Sequence, residues 1–318
     1  KNNEPFIPID AKEEDFRSKR ITGYLNLINK IVDSQFRKLK AEPFGPGTDI
    51  TRYFELLPET SPLKIKYRTM LLETDPDKQH RLQEELREEM VKGEIQVNIM
   101  AKVDRMNPDL KGEQISDALG ALKGFVESSL NSAVVLSAGM NPRLYSYLEN
   151  FPDFLPNQFS HFNKTIILKV SDFRSALIQA KFLAKKGLWV SEFRIESGLN
   201  CGGHAFATEG YLLGPILEEF KEKRQEMIQE LYDIYAKALE DKGIRLNLIP
   251  ELKISVQGGI GTADENNFLM NHYNLDATGW GSPFLLVPEA TNVDEETLEL
   301  ISTATKDDFY ISGSSPLG

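Results

Sequence analysis

Apolar residues recur along this chain at two different spacings, and the change falls near Gly93. Between Lys19 and Leu39 the apolar positions Ile21, Tyr24, Leu25, Ile28, Ile31, Val32, Phe36 and Leu39 keep helical intervals. "AEPFGPGTD" (41–49) interrupts them with proline and glycine, as a connection does. "IKYRTMLL" (65–72) reads as a strand. "DPDKQHRLQEELREEMVKG" (75–93) reads as a helix with Leu82, Leu86 and Met90 on one face. Beyond Gly93, short apolar runs alternate with helical segments. The strands predicted are 95–103, 133–139, 165–170, 188–196, 252–257 and 275–280, with "FYIS" (309–312) as a further one. Helices are predicted over 116–130, 142–151, 172–187, a long segment from Leu213 that stops at Gly243, 262–273 and 293–304.

Six βα units in succession imply a parallel sheet covered by helices. "TIILKV" (165–170) is apolar nearly throughout, as a strand buried on both faces is. Two architectures fit this alternation: a (β/α)8 TIM-type barrel and an open, doubly wound sheet. The barrel is the preferred reading, with residues 1–93 as a mainly helical N-terminal region and 94–318 as the βα-repeat barrel domain. Six strands are two short of eight. The missing pair is expected within 50–95 or upstream of a chain that starts at Lys1 and reads as an excised fragment.

Composition narrows the classes of function. The net charge of −11 argues against a general nucleic-acid binder, which needs clustered Lys and Arg. No apolar run approaches the ~18 residues of a membrane span. Cys201 is the only cysteine, so an intrachain disulfide and a multi-cysteine zinc or iron–sulfur site are excluded, and no metal is expected. A reducing, cytoplasmic setting fits this usage. The partner expected is a small-molecule substrate.

Ligands of either architecture bind at the carboxyl ends of the strands. Those ends carry Lys102 and Asp104, Ser137 and Met140, Lys169, Ser197 to Thr208, Gln257 to Gly261, and Gly279 to Pro283. The last two resemble each other: each is a strand that runs into glycines and then a helix start. Thr262 and Glu265 form T-x-x-E, the signature of a capping box. Ser282 is placed to cap a short helix with Pro283 at its first position. In phosphate-binding barrels the loops after the last two strands hold a phosphate on main-chain N–H groups. Gly258, Gly259, Gly279 and Gly281 would let a phosphate approach that closely. The other explanation is turn glycines only, with Glu265 serving its own helix.

Several of these segments together resemble a known family. Residues 164–290, about 40% of the chain, are similar to the flavin-binding barrel of glutamate synthase and its relatives among FMN-dependent (β/α)8 enzymes. "TIILKV" resembles the strand whose lysine approaches the N1/O2 edge of the flavin, which implies that role for Lys169. "FRIESGLNCGGHAFAT" resembles the strand and loop beside the flavin, implying Ser197, Gly198, Gly202 and Gly203. "ISVQGGIGTADE" resembles the phosphate loop, implying Gly258, Gly259 and Thr262. "LDATGWGSPFL" resembles the final strand and its turn, implying Gly279, Gly281 and Ser282.

The sequence also departs from that family. Asn200-Cys201 stands where the family has His-Asp, the cysteine cluster after the barrel is missing, and no glutaminase nucleophile opens the chain. Glutamate synthase activity itself is therefore not expected. The resemblance implies FMN as cofactor and an oxidoreductase of unassigned substrate and electron donor.

The residues supply chemistry of their own. A lysine near N1/O2 stabilises a reduced, anionic flavin; the plainer role for Lys169 is a solvated strand-end cation. Cys201 and His204 lie three apart in a glycine-rich loop and offer a nucleophile or a proton donor. Against that stand a small buried thiol and a hydrogen-bonded imidazole. Glu196 and Glu209 flank the loop, and either would serve as a base. The alternative to a flavoenzyme is a non-redox barrel that binds a phosphorylated ligand or partner protein. A lyase or hydrolase built on Cys201 or His204 is a third.

Overall fold

The structure is a computed structural model, and it describes residues 8–99, 104–106, 116–136, 139–157, 161–196, 213–258, 260–281, 284 and 293–308. The chain divides into two compact units. One comprises Lys1–Ile95 with Glu127–Leu130, the other Gln96–Val126 with Asn131–Gly318.

The first unit is helical: α1 (Phe16–Ala41), α2 (Asp49–Glu55), α3 (Pro62–Leu72) and α4 (Pro76–Glu89). Residues 65–72, predicted as a strand, lie inside α3. Ser61 followed by Pro62 starts that helix, because proline at the first position gives up an N–H that would have no partner. The run is apolar enough to suit either period. The helical period wins because it turns Tyr67 and Met70 inward together, at i and i+3, while Leu71 and Leu72 stay exposed. Tyr67 stacks on Phe54 at 5.3 Å between ring centroids. Ile50, Leu86 and Met90 complete this core. Among the described residues, 50–95 hold no strand, so the pair needed to make eight is not found there.

The second unit alternates β1 (Val97–Ile99), α5 (Asp117–Val126), β2 (Ala133–Leu136), α6 (Pro142–Tyr147), β3 (Thr165–Val170), α7 (Phe173–Ala184), β4 (Val190–Glu196), α8 (Leu213–Glu240), β5 (Lys253–Gln257), α9 (Ala263–His272), β6 (Ala277–Gly279) and α10 (Glu295–Thr303). All six strands are parallel, and their order in the sheet is their order in the chain. A doubly wound sheet reverses its order at a switch point. This one has no reversal among the described strands, which removes the doubly wound alternative.

Right-handed crossovers between successive neighbours put the connecting helices on one face of the sheet. That face is apolar. Leu168, Phe193, Ile195 and Val256 are buried there. Phe193 meets Phe220 of α8 at 6.0 Å, and Phe220 meets Phe173 of α7 at 5.2 Å.

The opposite face carries the polar residues of β4. Glu192, Arg194 and Glu196 alternate with Phe193 and Ile195, and the register sets Arg194 beside Lys169 and Ser255. The Arg194 Nη2 donates to Gln96 Oε1 at 2.8 Å, although Gln96 directly precedes β1. Three strand spacings and about four residues of rise would hold these Cα atoms about 19 Å apart in a flat sheet. Two side chains do not bridge that gap. The sheet therefore curls, with the polar face on its concave side.

Candidate functional site at the carboxyl ends of the strands

The last residues of β3, β4 and β5 bring Lys169, Glu196 and Gln257 together. Lys169 Nζ lies 2.7 Å from Glu196 Oε1. Gln257 Nε2 donates to the same oxygen. Glu196 is 4% exposed, and the Lys169 side chain keeps 18% of its surface open. A buried carboxylate is costly unless it is paired and hydrogen-bonded. Here the two neighbouring strands supply both needs, so backbone register alone positions the trio.

One layer deeper on the same face, Glu192 accepts from Arg194 Nε at 2.9 Å and from Ser255 Oγ at 2.5 Å. The two layers balance two carboxylates against two cations. These four charges are thus close to neutral in sum, and beside them Ala133, Val135 and Ile167 form a buried apolar cluster on the same face.

The glycine loops after β5 and β6 adjoin each other, since Gln257 pairs with Gly279. Gly258 has φ +87°, a left-handed conformation that glycine adopts without a Cβ penalty. Its N–H donates to the Gly279 carbonyl at 3.1 Å. A Cβ on Gly279 would stand 2.7 Å from Gln257 Cβ, so the close approach at this glycine is made by the neighbouring strand. Gly281, in contrast, faces open space.

The capping box expected from T-x-x-E forms at the start of α9. Thr262 Oγ1 accepts from the Glu265 N–H at 3.2 Å, and Glu265 Oε2 accepts from the N–H groups of Gly261 at 2.9 Å and Thr262 at 3.1 Å. Main-chain donors that a phosphate would use are therefore satisfied by the protein's own carboxylate. These hydrogen bonds hold the Glu265 carboxyl below its ordinary range. Its contribution to stability is complete above the unfolded value and is lost as pH falls through the lowered folded one. We expect Thr262→Ala to cost about 1 kcal/mol. Glu265→Gln should flatten the acid limb of a urea-midpoint profile below about pH 5. An unchanged acid limb would contradict this assignment.

The remaining strand ends are structural in what they show. Asp104 accepts from Ser116 Oγ and from the Ala118 N–H at 3.0 Å, closing the start of α5. Met140 is partly exposed after β2 and borders two open depressions, one shared with Asp172 and Ile178, the other with Asp104 and Arg143. Trp280 donates through Nε1 to Thr278 Oγ1 at 3.1 Å, and Thr278 donates to Asn266 of α9 at 2.6 Å. That chain of bonds anchors the indole to the sheet and its helix.

Of the residues predicted for the site, Lys169, Gly258, Thr262, Gly279 and Gly281 are described, and all lie at strand ends or in the turns that follow them. Ser197, Gly198, Cys201, Gly202, Gly203, His204, Gly259 and Ser282 lie outside the described residues. Arg194, Glu192 and Gln96 are not among the strand-end candidates of the sequence, and Gln257 is there only as the first residue of a strand-end range. The available signal was "SEFRIE", where charges alternate with large apolar residues. Among the described residues no cluster of His, Cys, Asp and Glu is arranged to hold a metal, and no helix is long and apolar enough to cross a membrane.

No protein-family model matches this chain, and no curated protein matches it. Among solved structures it is similar to the enoyl reductase domain of MlnA from the macrolactin biosynthesis cluster of Bacillus amyloliquefaciens. The identity is 14% and the TM-score 0.42, over 73% of this chain and 51% of that one. The chain thus spans about half the length of that domain. A likeness this distant carries no functional argument.

Proposed function

We propose that the second unit is a flavin-binding (β/α)8-type barrel and that the protein is an FMN-dependent oxidoreductase acting on a small molecule in the cytoplasm. The observation that carries this reading is Lys169. It is a cation held at the carboxyl end of a strand, on the concave side of a singly wound parallel sheet, by a buried carboxylate. The donor set fits an isoalloxazine ring, which presents carbonyl acceptors and one imide N–H. The turns after β5 and β6, with Gly258, Gly259, Thr262, Gly279, Gly281 and Ser282, would hold the phosphate. It would compete there with the Glu265 carboxylate for main-chain N–H groups.

Bound FMN supplies hydride transfer. The protein's part is electrostatic and steric. Lys169 keeps two N–H bonds beyond the one given to Glu196 and presents positive charge where a ring would accumulate negative charge. Its ion pair fixes the ammonium group at the site mouth. Ser197, Gly198, Gly202 and Gly203 follow β4 directly in sequence and would border the ring. His204, with Cys201 three residues before it, is the proton donor in this reading.

Freshly purified protein is expected to absorb near ~450 nm, or to do so after incubation with FMN and removal of the excess. Lys169→Met should slow flavin reduction by about tenfold or more, one lost charge contact being worth at least ~1.4 kcal/mol. A colourless protein that does not retain added FMN would reject the proposal.

A further inference from the structure

Resting on the flavin reading, we propose that Lys169, Glu196 and Gln257 form a three-point reader of a cyclic imide edge, in which Glu196 accepts the ring N–H. The three side chains project from adjacent strands in the order donor, acceptor, donor. Lys169 Nζ and Gln257 Nε2 both contact one oxygen of Glu196. The two nitrogens are therefore no more than about 6 Å apart, twice the length of an N–H···O bond.

An imide edge, O=C–NH–C=O in a six-membered ring, has the complementary order acceptor, donor, acceptor. Its two oxygens are about 4.5 Å apart on standard bond lengths. The valences also remain to be used. An ammonium group has three N–H bonds and a side-chain amide two, and each gives one to Glu196. A carboxylate offers about four lone pairs, of which these donors take two.

Charge narrows the ligand further. A phosphate or carboxylate brought to this row would meet Glu196, buried and anionic, as well as Lys169. A ligand cation would meet Lys169. A neutral ring that offers one N–H between two carbonyls satisfies all three groups and leaves no buried charge unpaired. The row thus assigns to Glu196 a binding and orienting role, and makes the imide N–H the atom by which a ring is accepted or refused. A ring methylated at that nitrogen lacks the proton and sets a methyl group against a carboxylate. Sites built to hydrogen-bond a ligand group discriminate strongly against analogues that lack it, because their own polar atoms are left unpaired.

The test is a titration of the purified protein with FMN and with N3-methyl-FMN, read by quenching of flavin fluorescence. The unmodified protein should bind FMN at least tenfold more tightly than the methylated ring. Glu196→Gln should narrow that ratio to about twofold, since the one amide oxygen stays with Lys169 and Gln257 and the N–H₂ in place of the second oxygen cannot accept the ring N–H. Equal affinity for the two flavins in the unmodified protein would overturn this inference and leave the flavin reading standing. Failure to bind either would overturn both. Discrimination unchanged in Glu196→Gln would remove Glu196 from the role. The comparison in the unmodified protein is decisive even where the variant does not fold.

Discussion

Glu196→Ala is expected to destabilise the second unit by about 3 kcal/mol, the lower end of the range for removing one partner of a buried ion pair. The loss comes less from the attraction given up than from what stays behind. Lys169 would retain its charge at a strand end with its acceptor gone, and Gln257 would lose the same acceptor. Water reaches part of Lys169, which keeps the cost at the lower end. Glu196→Ala combined with Lys169→Met should recover most of the loss, because no uncompensated charge remains. Both tryptophans, Trp189 and Trp280, belong to this unit, so urea unfolding followed by their fluorescence reports on it alone. Losses that simply add across the two sites would show that the pair is not coupled.

The largest effect is expected at Phe193. Its ring is fully buried on the helix-covered face of β4 and meets Phe220, which in turn meets Phe173. Phe193→Ala removes a ring from a layer where sheet and two helices converge, and such truncations cost about 3–5 kcal/mol. Phe193→Leu keeps most of the volume and should cost less than about 1.5 kcal/mol. The same fluorescence-detected unfolding separates the two. A midpoint for Phe193→Ala close to that of Phe193→Leu would mean that the layer closes around the gap.

The local features of this fold were legible in the sequence to the extent that one strand or one helix contains its own reason. "TIILKV" gave the bounds of β3, because both faces of that strand are buried and its apolar run begins and ends with it. Thr262 and Glu265 formed the capping box their spacing implied, since both partners lie within one turn. The run 65–72 misled because its apolar residues suit either period until Pro62 and the inward pair Tyr67 and Met70 are set in place.

What depends on neighbours distant in sequence was not legible. Strand order, which sets a singly wound parallel sheet apart from a doubly wound one, is not contained in the alternation of elements. Gly279 looked like a phosphate glycine, yet its Cα approaches Gln257 across the strand pair. Lys169 stands out in the sequence as the charged residue next to the end of an apolar strand. Its partner Glu196 was one of two acids between which the sequence made no choice, and register alone brings Gln257 to it.

The unreversed strand order also bears on how this chain is made. Synthesis delivers each new strand to the open border of the sheet, beside the strand completed just before it. Among the described strands, none has to be threaded between two that are already bonded, as a reversed order requires. The second unit can grow in the direction of translation, one neighbour at a time, while the ribosome is still adding residues.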